Sequence, residues 1–271
     1  MQVSRKLPLV ASISLILAFC APCFSAKAAD VSLYAIYKRQ VYVQTSEAEP
    51  APSCCGYIFN AVVELTESNS VIDASLSAPN GSHTPLSLSY EQEFLPHRWI
   101  LSVSTGFPST EALETTWGKG NYTLSIFGAK DGLITIPLDL SGDAYPAHAP
   151  HIRNFAETQA VDASKDFVLH WTPFKEGTTN DCCFVLVTRT RDGVALSNTP
   201  LLEDPNHLNG ISKSILIPAG TLAAGEQYDV YVRFDKVVAR DAKSYPGVVG
   251  RATYAKGTHL TLKTLPGARS E

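Results

Sequence analysis

Bulky and polar residues alternate from Val31 through Tyr34 and Ile36 to Val41-Tyr42-Val43, which suits an extended segment and not a helix. Pro50 and Pro52 are expected to end it. Further short apolar runs follow at Tyr57 to Val63, Val71 to Leu76, Leu86 to Tyr90 and Trp99 to Val103, with Asn80-Gly81 marking a tight turn. Glu111 to Glu114 behind a Ser-Thr start predicts one helical turn capped at Ser109 or Thr110. Gly120 to Phe127 and Leu133 to Leu140 then read as a hairpin about Asp131-Gly132. Periodicity fails between Ser141 and Pro150, where prolines and small residues predict a linker and a domain boundary.

The pattern resumes with Phe167, Leu169 and Trp171 on one face of a strand that Pro173 ends. Cys183 to Val187, Ser214 to Ile217 and Tyr228 to Phe234 are further strands, with a turn at Asp192-Gly193. Lys236 to Gly247 reads as a long polar loop, and Thr258 to Thr264 as the last strand. Many short strands and almost no helix define an all-β class of sandwich type.

Ahead of these strands stand Arg5, Lys6, an apolar run from Leu9 to Phe24 and the small-x-small site Ala26-Lys27-Ala28. Together they predict a signal peptide over residues 1–28, too short for a membrane span, and hence an exported protein of the periplasm, cell surface or extracellular space. Cleavage would remove three basic residues and leave 19 against 26 acidic ones, a net charge of −7. That balance disfavours nucleic acid and anionic membranes, which are held by clustered Lys and Arg.

The segment Phe167-Val168-Leu169-His170-Trp171-Thr172-Pro173, followed by Leu222-Ala223-Ala224-Gly225-Glu226-Gln227-Tyr228, resembles the early-strand tryptophan and tyrosine corner of a fibronectin type III module. The resemblance covers residues 150–264; Ala224 stands where that family usually has proline. It implies that Trp171, Leu222 and Tyr228 are inward fold anchors. The first half is similar in outline only, through Gly120-Asn121-Tyr122 ahead of an alternating strand. The expected plan is therefore two tandem β-sandwich domains after the signal peptide: an Ig-like domain at 29–141, a linker at 142–151, a fibronectin type III-like domain at 152–265 and a tail at 266–271.

Four cysteines remain after cleavage, in two adjacent pairs, Cys54-Cys55 and Cys182-Cys183, and an even count in an exported chain makes all four disulfide candidates. Neighbours on a strand point to opposite faces, so two arrangements stay open. A bridge between halves would restrain a loop of about 128 residues by about 4–5 kcal/mol on chain-entropy grounds. Alternatively, each pair closes on itself in a strained turn. A vicinal redox site finds little support in the surrounding sequence, which has no basic cluster to lower a thiol pKa.

Other chemistry is thin. His148-x-x-His151 lacks further ligands, and Asp204 to Gly210 departs from a calcium loop at Leu208 and again at Ile215, where a closing glutamate would be needed. Glu91 and Glu93 share a strand face and read as a solvated edge. No nucleophile elbow, zinc helix or phosphate loop occurs, and Ala239-Arg240-Asp241 takes the place of an adhesive Arg-Gly-Asp. The sequence thus predicts no catalytic residue, metal ligand or cofactor. It predicts a non-catalytic binding or structural module with an unknown protein or glycan partner. The alternatives are a carbohydrate-binding module that uses Trp99, Trp117 or Tyr245 and a hydrolase with motif-free carboxylates.

Overall fold

The computed structural model describes residues 29–91, 98–200 and 204–267. The signal segment with Cys20 and Cys23, and Glu93, lie outside the described residues.

Strands β1 (Val31–Val43), β2 (Ala51–Leu65), β3 (Val71–Ser77), β4 (His83–Pro85), β5 (Ser87–Glu91) and β6 (Arg98–Phe107) precede the one α-helix of the described residues, α1 (Thr110–Trp117). β7 (Gly120–Gly128) and β8 (Gly132–Leu140) close the first half. The second half holds β9 (Phe167–His170), β10 (Cys182–Arg189), β11 (Ala195–Asn198), β12 (Ser214–Ile217), β13 (Gln227–Asp241) and β14 (Gly250–Lys263). The helix starts where its cap chemistry puts it: the Ser109 hydroxyl accepts from the Ala112 amide at 3.1 Å.

In the first half β1-β2-β6-β5 faces β4-β3-β7-β8, the A-B-E-D and C-F-G order of an immunoglobulin-type sandwich with one extra edge strand. In the second half β9 and β12 pair as B and E against β11-β10-β13-β14. Two sheets of the tandem sandwiches are one, however. An eight-stranded sheet runs β11-β10-β13-β14-β1-β2-β6-β5, because the last strand pairs in parallel with the first, Tyr34 opposite Gly250 through Val43 opposite His259.

This corrects two expectations. The segment Lys236 to Gly247 is not a loop over its length, since β13 continues to Asp241; the last strand begins at Gly250, eight residues ahead of Thr258. Both extensions follow from burial that the local pattern conceals. Ala252 and Tyr254 of β14, with Tyr245 and Val248 of the connecting loop, are buried in the core of the first sandwich, beside Tyr34, Phe59 and Trp117. Leu260 and Leu262 of the same strand enter the second core with Trp171, Tyr228 and Val230. Even-numbered residues of β14 face one side throughout, so both cores lie on the same face of the large sheet. Pro52 likewise stands inside β2 and does not end a strand. Opposite Tyr42 it has β1 on one side only, because β6 joins β2 from Tyr57 onward, and the missing N–H costs no ladder bond.

The join is tight at Gly250. A Cβ there would lie 1.6 Å from Cε2 of Tyr34, whose fully buried ring covers the glycine. A second fastening lies at the other end of β1. The buried Gln44 carboxamide donates to the Ile152 carbonyl at 3.0 Å and accepts from the Ile152 amide at 2.8 Å, pinning the segment after the expected linker to the sheet. Thr258 holds the carbonyl of Pro150 at 2.6 Å.

Candidate interaction surface

Trp171 and Tyr228 are buried; the Trp171 indole donates to the Ser212 carbonyl at 3.0 Å, and the Tyr228 hydroxyl accepts from the Ala223 amide at 2.7 Å, with Leu222 buried alongside. Tyr122 repeats this device in the first half: its hydroxyl donates to the carbonyls of Trp117 and Gly118 at 2.9 and 2.7 Å. It sits after α1 at the start of β7, the corner position of an Ig-type sandwich. Gly120-Asn121-Tyr122 carried that signal in the sequence, without the leucine six residues earlier that marks the second half.

Beneath this corner lies a charged interior. Lys38 is fully buried and donates from Nζ to Glu114 Oε2 and to the Gly118 carbonyl, each at 2.6 Å. Burial pulls the lysine pKa down, and the Glu114 carboxylate works against that shift. Hydrophobic periodicity passes over this lysine because a strand written as Tyr37-Lys38-Arg39 reads as a polar strand end.

Several sequence candidates prove structural. Trp117 stacks on Phe59 at 4.0 Å between ring centroids and Tyr245 is buried, so neither offers a ring to a sugar; Trp99 packs partly buried against the first core. His148 sets its ring edge on Phe234, while His151 turns to the Glu47 carbonyl and the Glu49 carboxylate. In the Asp204 loop the carboxylate caps the Asn206 amide at 2.7 Å, a turn bond.

The acids that line a shallow cleft beside β9, Glu157, Asp162 and Asp166, are each engaged, the first two in local turns and Asp166 across to the segment after β12. Glu157 accepts from Asn154, Asp166 from the Ala219 amide, and Asp162 from Ser164 and Lys165. The Ser164 hydroxyl, Lys165 and the Ser164 amide lower the Asp162 pKa to about 2, which leaves no proton to donate at neutral pH.

The cysteines separate by environment. Cys182 and Cys183 lie in regular strand opposite Asp235 and Phe234 and are buried; burial pushes the Cys183 thiol well up. Cys54 and Cys55 are exposed on β2. Since β1, β14 and β13 stand between β2 and β10, the two pairs are four inter-strand steps apart, about 19 Å. A disulfide needs Cα atoms within about 7 Å, so of the two arrangements left open by the sequence the bridge between halves does not fit this fold.

One exposed surface is the outer face of the β4-β3-β7-β8 sheet. Its inward residues fill the first core, and its outward ones are mostly small and uncharged, among them Ser75, Ser77, Thr123, Ser125 and Thr135. At one end Ile72, Phe127 and Leu133 are 63, 45 and 69% exposed. Phe127 and Leu133 are direct cross-strand partners, and Ile72 stands at the β3 bulge beside them. The turn that carries them is fixed from below: buried Asp30 accepts the amides of Lys130 and Asp131 at 2.6 and 2.8 Å, and Asp131 accepts the Tyr245 hydroxyl at 2.7 Å. Phe127 and Leu133, which flank that turn, and Ile72 on β3 form a small apolar patch, with exposed Asp73, the cross-strand partner of Phe127, beside it.

No family model matches the chain, and no curated protein matches it. Among solved structures it is similar to the BSP domain of a biofilm associated protein, with 15% identity and a TM-score of 0.22 over 79% of this chain and 28% of that one. It is also similar to the FN1-FN3 domains of chicken CNTN1, with 10% identity and a TM-score of 0.24 over 76% of this chain and 62% of that one. The chain therefore spans less than two thirds of either neighbour's length. The fibronectin type III and Ig-like character of the fold is read from its own strand order and its two tyrosine corners.

Proposed function

We propose that this chain is a non-catalytic, exported interaction module whose partner is a protein that docks on the outer face of the first sandwich. The observation that carries the reading is the exposed cluster of Ile72 on β3 with Phe127 and Leu133, which flank a hydrogen-bonded turn, beside the carboxylate of Asp73. Its chemistry suits a protein surface. A glycan presents hydroxyl groups that need polar partners or a flat aromatic ring, and nucleic acid needs the clustered cations this acidic chain lacks. Export is supported by the basic, apolar and small-residue order of residues 1–28. Against a hydrolase stands the engagement of each cleft carboxylate in a structural hydrogen bond.

The test uses the exported fraction of cells that produce the protein. Wild-type protein cross-linked in that fraction is expected to retain one protein in fixed stoichiometry, and the I72S/F127S/L133S variant, folded by circular dichroism, to lose it. Equal retention by the variant refutes the surface. Turnover of any substrate that a single carboxylate or histidine substitution abolishes refutes the non-catalytic reading.

A further inference from the structure

Cys55 is the only residue other than glycine with a positive φ among the described residues, at 53°. It lies where β2 breaks register with β1. Gln40 pairs with Tyr57 and Tyr42 with Pro52, so two steps on β1 correspond to five on β2, and Ser53-Cys54-Cys55-Gly56 bulges out. The bulge is folded tightly on itself: a Cβ on Gly56 would stand 2.7 Å from the Val41 carbonyl oxygen and 2.9 Å from that of Ser53. Both cysteines are exposed there.

The positive φ changes what adjacency means. In an extended strand, with φ near about −140°, neighbouring side chains point to opposite faces. Rotating Cys55 from that value to 53° turns its Cα–Cβ bond through roughly half a turn about N–Cα, and so brings it to the side of Cys54. A left-handed cysteine is a strained choice where glycine or asparagine is ordinary, and such outliers gather at working sites. Cys182-Cys183 provides the contrast, since its regular strand geometry sends the two thiols to opposite faces and both are buried.

We infer that Cys54 and Cys55 form a vicinal dithiol site that undergoes reversible exchange with an exposed disulfide, R–S–S–R, of a small molecule or a protein. One thiolate attacks a sulfur of that disulfide, forming a mixed disulfide and releasing RS⁻, which takes up a proton. The neighbouring thiolate then attacks the mixed disulfide, closes the Cys54–Cys55 bond and expels the second RS⁻. The dithiol loses two electrons and two protons, and the incoming disulfide becomes two RSH. Consecutive Cα atoms are about 3.8 Å apart, shorter than the about 4.4–6.8 Å that disulfides favour, so the closed ring is strained and easily reduced. Such bonds are the labile, exchanging kind.

The test treats the full mature chain with oxidised glutathione, varied against reduced glutathione, followed by peptide mapping without reduction. The expected result is a Cys54-Cys55 peptide lighter by two hydrogens and free of glutathione, returning to the dithiol as reduced glutathione rises, while Cys182 and Cys183 stay unmodified. C54S and C55S should each stop at a mixed disulfide on the remaining cysteine. Reduced wild type should bind one phenylarsine oxide per chain, and either variant none. Stable glutathione on both Cys54 and Cys55, reaction at Cys182 or Cys183 instead, or loss of both thiols only through disulfides between chains would overturn the inference. G56A keeps both thiols and crowds the bulge; closure as fast as in wild type would show that the bulge geometry plays no part.

Discussion

Gly250→Ala tests whether the two sandwiches unfold as one body. The added methyl would start 1.6 Å from the Tyr34 ring, which is fully buried and held by Asp241 at 3.2 Å from its hydroxyl. Neither the ring nor the strand can yield without disturbing the parallel pairing of β1 and β14, so the change acts as overpacking and costs about 1–3 kcal/mol. With a urea m-value of about 2 kcal/mol/M, a loss near the middle of that range lowers the midpoint by about 1 M. Tryptophans report the two halves separately, Trp117 in the first core and Trp171 in the second. A variant that keeps Trp171 alone therefore watches the half that G250A does not touch. Because β14 contributes Ala252 and Tyr254 to one core and Leu260 and Leu262 to the other, the Trp171 midpoint should fall with the first-core midpoint. An unchanged Trp171 transition beside a shifted first-core signal would refute the shared-sheet argument and restore two independently folding units.

Q44L removes two buried hydrogen bonds and strands the Ile152 amide and carbonyl, which should cost about 2–3 kcal/mol in denaturant unfolding; a cost under about 0.5 kcal/mol would mean water replaces the side chain. Y228F deletes the bond to the Ala223 amide and should lower stability by about 1 kcal/mol with the ring's packing retained, read as a shift in thermal midpoint. S109A uncaps the helix that carries Glu114 and Trp117 and should cost about 1 kcal/mol. Asp162 has its pKa depressed to about 2 from 3.8, so its contribution is fully present above 3.8 and is lost as pH falls through about 2. D162N should therefore be less stable than wild type above 3.8, with the gap closing towards pH 2; a gap independent of pH would refute the assignment.

Much of the fold was legible because its strands write their burial locally. The Trp171 strand, the Tyr228 corner and the hairpin about Asp131-Gly132 each carry a two-residue period or a turn dipeptide, and the Ser109 cap stands where helix chemistry requires it. The shared sheet was not legible, for a definite reason. Residues 236–254 bury Tyr245, Val248, Ala252 and Tyr254 against strands more than a hundred residues away, and no short-range period records a partner at that distance. Lys38 was lost for the related reason that its partner, Glu114, is on a helix 76 residues on. The cysteine bulge was half visible: the dipeptide is in the sequence, whereas the positive φ that turns Cys55 towards Cys54 exists only once Gly56 has folded against Val41.

The shared sheet also decides how the two halves can present their outer faces. Both cores lie on one face of the eight-stranded sheet, so the two small sheets stand on the same side of it. Their outward apolar residues are Ile72, Phe127 and Leu133 on the first, and Val168 and Leu216, which are cross-strand partners, on the second. From β13 at the centre of one sandwich to β2 at the centre of the other there are three inter-strand steps, and at about −20 to −25° per step the sheet turns by roughly 70°. The two outer faces therefore diverge, and one flat partner cannot lie on both. A linker of free residues could let the faces realign on binding, but here the fastening at Gln44 and the ten paired positions of β1 and β14 hold the angle. A flat partner docked on the first face, as proposed, would therefore bind that face without the second, and serine substitutions confined to Val168 and Leu216 should leave such binding unchanged.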